Sequence, residues 1–128
     1  MHIICVIAQK YIYQEPVVEQ QALQFKALGD LTRLRLAALL AVNGETCVCH
    51  LARALGEPDY KISRHLTVLR SAGLVEARRQ GTWMHYRLSS AQSDFDQRLR
   101  EFLREALEGL PVVREDLERM LAKCCEVK

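Results

Sequence analysis

"ETCVCHLARALGEPDYKISRHLTVLRSAGL", residues Glu45 to Leu74, decides the fold. Val48, Leu51, Ala52 and Leu55 recur at the i, i+3, i+4, i+7 positions of one helical face, and Thr46 is the expected N-cap. Gly56-Glu57-Pro58 breaks that helix. A second helix starts near Pro58 or Asp59, buries Ile62, Leu66, Leu69 and Ala72, and stops at Gly73. Its other faces carry Lys61, Ser63, Arg64, His65, Thr67 and Arg70, while two cysteines, Cys47 and Cys49, stand at the head of the preceding helix.

Upstream, Val17, Ala22, Phe25 and Leu28 mark a helix that Gly29 ends. Asp30 then caps a helix whose Leu31, Leu34, Leu36, Ala38, Leu39 and Leu40 cover so much of its circumference that it must run through the core. Asn43-Gly44 stops it. Downstream, Leu74 to Arg79 and Trp83 to Leu88 flank Gln80-Gly81-Thr82, and Met84, Tyr86 and Leu88 alternate with His85 and Arg87, which is the pattern of a β-hairpin. Phe95, Leu99, Phe102, Leu103, Ala106 and Leu110 mark a long amphipathic helix, and a shorter one after Pro111 carries Val113, Leu117, Met120 and Leu121.

Two helices joined by a short turn and followed by a hairpin are the layout of a winged helix-turn-helix: a mostly α fold with a small β-hairpin. The Asp59 helix would enter the major groove and the hairpin would lie along the flanking backbone. The expected division is an N-terminal extension of unassigned role at 1–16, the winged domain with dimerisation helices at 17–110, and a C-terminal helix and tail with vicinal cysteines at 111–128. The outer faces of Val17 to Leu28 and Phe95 to Leu121 have no evident partner within so small a core. A homodimer closed by the first and last helices is therefore expected, its two wings addressing two half-sites of an inverted repeat.

The 128 residues, 49% hydrophobic and 27% charged, suit one globular domain. No run approaches a membrane span, and the apolar opening "MHIICVIAQKYIY" lacks the basic leader and cleavage site of a signal peptide, so a cytoplasmic protein is expected. The net charge of +2 conceals an uneven distribution. Residues 60–90 carry Lys61, Arg64, Arg70, Arg78, Arg79 and Arg87 against Glu76 alone, a concentration that points to a polyanion. Lys61, Ser63, Arg64 and His65 are the candidates for base and phosphate contacts, and Arg78, Arg79 and Gln80 for wing contacts. Strand alternation turns only one of His85 and Tyr86 outward, and Tyr86 is assigned to packing.

Four of the five cysteines fall in two tight pairs, Cys47/Cys49 and Cys124/Cys125, a layout unlike a disulfide framework and suited to thiol chemistry in a reducing compartment. At about 100° per residue, Cys47 and Cys49 would lie about 200° apart on an intact helix. Gripping one ion would then require the first turn to distort. A helix N-terminus favours anionic groups, and sulfur anions suit soft, thiophilic ions such as arsenite and antimonite better than hard cations.

The pieces "ALGDLTRLRLAALL", "CVCHLARAL", "KISRHLTVLRSAGLV" and "RRQGTWMHYRL", spread over Leu28 to Leu88, closely resemble the ArsR/SmtB-type bacterial metalloregulatory repressors, and the "CVC" resembles their arsenic-responsive branch. The resemblance implies a homodimer that represses its own operon and leaves operator DNA when As(III) or Sb(III) binds, with no other cofactor required. Cys47 and Cys49 are the expected inducer ligands, with Cys124 and Cys125 as possible additions. Arsenite prefers three sulfurs, and the third cysteine that the branch carries three residues past the second is Ala52 here.

Three completions are open: a two-thiol site finished by hydroxide or an external thiol, a third thiol from Cys5, Cys124 or Cys125 of either protomer, or a separate site at Cys124-Cys125. The alternatives in ligand are cadmium, zinc or lead, a methylated arsenical, or oxidation of the thiols. The zinc site that relatives build on the C-terminal dimer helix needs histidine, and residues 91–110 have none. His50, next to Cys49, is read as a surface residue, with a borderline ligand for zinc or cadmium as the alternative. Enzyme function is not expected, because no phosphate loop, carboxylate cleft or Cys-His-Asn arrangement is present. Since phosphate neutralisation releases counterions, DNA affinity should fall steeply with rising salt, and a flat salt dependence would contradict the assigned basic face.

Overall fold

The computed structural model describes residues 17–122. Cys5, Cys124, Cys125 and the 1–16 extension lie outside the described residues. Helix α1 spans Val17–Leu28 and α2 spans Leu31–Asn43, with Asp30 between them in extended conformation, its carboxylate accepting the Arg33 backbone N–H at 3.1 Å. That bond, more than any other influence, holds the Asp30 carboxyl below the ordinary carboxylate range. Leu36 to Leu40 are all buried, a run longer than one turn, so the middle of α2 is enclosed on every side, while Leu31 at its start is exposed.

Thr46 does not cap the next helix. Thr46 and Cys47 form a short strand, β1, and α3 follows at Val48–Leu55. After α4, Asp59–Ser71, come β2, Val75–Gln80, and β3, Trp83–Leu88. The hairpin is thus part of a three-stranded antiparallel sheet of order β1-β3-β2, in which Thr46 lies opposite Tyr86 and Cys47 opposite His85. The sheet claims Thr46, whose hydroxyl donates to Gly44 O and accepts from Asn43 Nδ2, both at 2.8 Å. Capping passes to Cys47, which is extended (φ −69°, ψ 145°) and accepts the Cys49 N–H on its Sγ at 3.4 Å. Strand β2 runs one residue beyond expectation, to Gln80 opposite Trp83, leaving Gly81-Thr82 as a two-residue turn with Gly81 at φ 64°. Tyr86 is buried, as its place in the alternation requires.

Helix α5, Asp94–Glu105, is capped by Ser93 and lies along α2; α6, Pro111–Leu121, lies along α3. The faces expected to lack a partner are partly covered within the chain, because Leu99, Leu103, Leu107, Val113 and Met120 join the core. Val18, Phe25 and Phe102 remain outward, and Phe25 stands edge-on to Phe95 with ring centroids 5.7 Å apart.

Asp116, hidden in the sequence between Val113 and Leu117, is fully buried. It accepts a two-pronged pair of bonds from Arg35 at 2.7 and 2.8 Å and a third bond from Arg119 at 2.6 Å, while Arg119 Nε donates to the Ala54 carbonyl at 2.8 Å. The same carboxylate raises the pKa of the Arg35 guanidinium. Asp116 therefore joins α2 and α6 to the end of α3. Breaking a buried pair costs about 3–5 kcal/mol when the stranded charge stays buried. Arg35 and Arg119 keep 19% and 47% of their side chains exposed and can turn to water, which lowers the expected cost. Asp116→Ala should lose about 2–3 kcal/mol in urea unfolding; an unchanged midpoint would show that the pair does not hold α6. Asp30→Ala should lose about 1 kcal/mol. Because the folded carboxyl is the stronger acid, that loss should be full near neutrality and disappear as pH falls through the folded value.

Candidate thiol site and nucleic-acid interface

Cys47 and Cys49 lie on the same side, not on opposite sides, of the α3 start. Their Sγ atoms are 3.0 Å apart. The expected 200° separation fails because Cys47 precedes the helix: its extended backbone folds the thiol over the first turn onto Cys49. One ion bonded to both sulfurs at about 2.3 Å spans up to about 4.6 Å between them, so the pair is already within reach of a shared ion without unwinding α3.

His50 extends the cluster. Its Nδ1 is 3.9 Å from Cys49 Sγ, and one ligand atom from each of Cys47, Cys49 and His50 lies within 4.8 Å of the others. The ring is half-buried rather than a free surface group. Its position beside Cys49 in the first turn was the available signal, but only the folded-back Cys47 makes it a third donor. Two thiolates and an imidazole suit soft and borderline ions and offer little to oxygen-seeking cations.

The site opens into a cleft of about 360 Å³ that Cys47 and His50 share with Glu45 of the preceding turn, His85 of β3, and Met120 and Ala122 at the end of α6. Glu45 is gripped by Arg78 of β2 through Nε at 3.1 Å and through a shorter Nη2 contact, and Arg78 also donates to Gln80 Oε1 at 3.1 Å. The guanidinium holds the Glu45 carboxyl below its ordinary range. Backbone pairing and this ion pair thus both lead from the thiols into the wing.

On α4, Lys61 and Arg64 are exposed, Lys61 3.2 Å from Glu57 and Arg64 over the Tyr60 ring at 5.7 Å. Ser63 and His65 are half-buried. His65 Nδ1 is 3.4 Å from Arg33 Nη1 and 3.8 Å from the Asp30 carboxylate, so it faces the α1–α2 turn. Arg78, Arg79 and Gln80 are exposed at the end of β2 beside the half-exposed Trp83, an aromatic that the alternation pattern did not single out. Gly73, at φ 81°, ends α4, and the Gln20 amide of α1 donates to the Ala72 carbonyl there at 2.9 Å.

Comparison with known proteins places this arrangement among relatives. Residues 30–77 match the family described as "Bacterial regulatory protein, arsR family". Over 65 residues the chain is 55% identical to the arsenical resistance operon repressor of Escherichia coli K12, a match covering 51% of this chain and only 56% of that relative. It is 50% identical over 68 residues to an uncharacterised HTH-type transcriptional regulator of Methanocaldococcus jannaschii, covering 53% of this chain and 76% of that protein. The solution structure of a homodimeric winged helix-turn-helix DNA-binding domain from Mycobacterium bovis, a possible ArsR-family regulator, superposes with a TM-score of 0.60 at 37% identity, covering 76% of this chain and 87% of that one.

If the three donors act together, one equivalent of Cd²⁺ should shield both Cys47 and Cys49 from alkylation, read by mass spectrometry on the tryptic peptide 36–53. His50→Ala should weaken that shielding. Protection of only one cysteine would contradict a shared ion.

Proposed function

The chain belongs to the arsR family of bacterial regulatory proteins, and from that premise we propose that it is a homodimeric operator-binding repressor, released when arsenite or antimonite binds the thiolates of Cys47 and Cys49. The observation that carries this reading is the 3.0 Å pair of sulfurs at a residue that ends β1 and caps α3. The name of the E. coli relative supports an arsenical as the inducer. Cytoplasmic location follows from operator binding.

Lys61, Ser63, Arg64 and His65 supply base and phosphate contacts from α4, and Arg78, Arg79 and Gln80 supply wing contacts. The outward Val18, Phe25 and Phe102 are the apolar surface that a second protomer covers, in keeping with the homodimeric M. bovis relative. Binding an ion at Cys47 acts on two elements together. It changes the residue that lies opposite His85 in the sheet, and it replaces the Sγ cap on the Cys49 N–H. The wing and the helix that supports α4 shift from the DNA-bound arrangement. An inducer does this only to the extent that it binds the released state more tightly; a hundredfold loss of DNA affinity corresponds to about 2.8 kcal/mol of coupling.

A second reading is favoured by His50: with a nitrogen donor beside two sulfurs, cadmium or zinc is the inducer of the same device. The test follows fluorescence anisotropy of labelled self-promoter DNA under reducing conditions. Arsenite should release the wild type and leave Cys47→Ser/Cys49→Ser bound, whereas release by Cd²⁺ or Zn²⁺ alone would select the second reading. Arg64→Ala and Arg79→Ala should each weaken binding, and loss of a phosphate contact should reduce the salt slope by about one. Self-promoter affinity no greater than that for random DNA would refute operator recognition.

A further inference from the structure

We propose that His85 of β3 is a fourth donor to the thiol site, joining Cys47, Cys49 and His50 around one Cd²⁺ or Zn²⁺ ion and tying the start of α3 to the wing. This rests on the second reading above, in which Cys47, Cys49 and His50 hold such an ion.

The three donors within 4.8 Å of one another all come from the junction of β1 and α3. A zinc held only by protein takes four ligands in a tetrahedron, so three leave one corner open. The sheet decides which residue stands nearest that corner. Cys47 pairs with His85 across β1 and β3, and directly opposed residues of an antiparallel pair project from one face with Cβ atoms about 4.5–5.5 Å apart. That face is a wall of the cleft, because Cys47, His50 and His85 line the same space of about 360 Å³. The Glu45 carboxylate beside them is already engaged by Arg78. His85 is half-buried, and no hydrogen bond among the described residues pins its ring. Metal bonds of about 2.3 Å to sulfur and 2.1 Å to nitrogen let the two donors stand at most about 4.4 Å apart. The ring lies outside the three-donor cluster, so ligation turns it toward Cys47 about its side-chain torsions.

The donor set balances the ion. Each thiol releases its proton to solvent and binds as a thiolate, while each imidazole binds through a neutral nitrogen, so two thiolates and a divalent cation leave no net charge in the cleft. Trivalent arsenic differs: it exchanges hydroxyl groups for thiols, each thiol proton leaving in water, and has no use for an imidazole at a fourth corner. His85 therefore favours divalent ions and leaves arsenite binding unaltered. It also carries the signal. β3 is the middle strand, and His85 lies opposite Cys47 on one side and Arg78 on the other, so a ligated ring fixes the wing to the ion by a side chain as well as by backbone pairing.

The test uses the full chain, fully reduced, with Co²⁺, Cd²⁺ and sodium arsenite as probes and His85→Gln as the variant. Co²⁺ reports thiolate ligands by its sulfur charge-transfer absorption and coordination number by the intensity of its visible bands. The wild type should give an intense four-coordinate spectrum. His85→Gln should keep the sulfur absorption, bind Cd²⁺ at least about tenfold more weakly, and bind arsenite with unchanged affinity. Trp83, the single tryptophan, is two residues from His85 on the same face of β3, and its emission should respond to Cd²⁺ in the wild type and not in the variant. An unaltered Cd²⁺ affinity in the variant, with the sulfur absorption intact, would overturn this proposal and leave a three-donor site standing. An equal loss of arsenite affinity would also overturn it, by marking His85 as a packing residue. No sulfur absorption in the wild type would instead remove the reading on which it rests, and the fourth donor with it.

Discussion

The pairing of Thr46 and Cys47 with Tyr86 and His85 is the constraint on which the functional geometry depends. Two residues of β1 are enough to turn a free hairpin into a three-stranded sheet anchored on the helix-turn-helix. The pairing holds Cys47 extended, and an extended residue immediately before a helix points its side chain back over the first turn. The sulfur cap, the proximity of Cys49 and the inclusion of His50 all follow. A helix beginning one residue earlier would have separated the two sulfurs around its circumference.

The second organising interaction is ionic and buried. Asp116 draws together a cation from α2 and one from its own helix, and Arg119 also donates its Nε–H to the Ala54 carbonyl in the last turn of α3. Such a group is weak evidence for added stability, since an apolar replacement of the whole cluster often does as well. Its geometric effect is more distinctive. Val113 and Met120 would pack against α3 in several registers, whereas a carboxylate answered by two guanidinium groups accepts few. The end of α6 is thereby set at the mouth of the thiol cleft.

Charge on the nucleic-acid side is arranged with restraint. Several of the cations that a reading by composition adds together are engaged: Lys61 with Glu57, Arg78 with Glu45, Arg87 with Glu76. Exposed pairs of this kind contribute little to stability, but they orient long side chains and can be exchanged for phosphates. Glu45 is notable because it holds Arg78 of β2 from the same turn that carries Cys47, linking the wing to the thiol cleft.

The order of the helices, the winged layout, the core position of α2 and the packing role of Tyr86 were legible from periodicity, caps and glycine stops, because those signals act between residues a few positions apart; the start of α3 and the end of α5, at Glu105 rather than near Leu110, were not. The two-residue strand at Thr46 was not, since its partner lies about forty residues away and two residues hold no period. The error about the cysteines had the same origin: helical angles apply only once the helix start is known, and a long-range strand sets that start. Asp116 was equally silent, a single acid on an amphipathic helix whose partners are fixed by packing. The sequence by itself determined the fold, the basic segment and the placing of two cysteines at the head of a helix, which are local or compositional properties. Only the tertiary structure decided that the two sulfurs and His50 converge beside the end of α6, because that convergence depends on contacts between segments far apart in the chain.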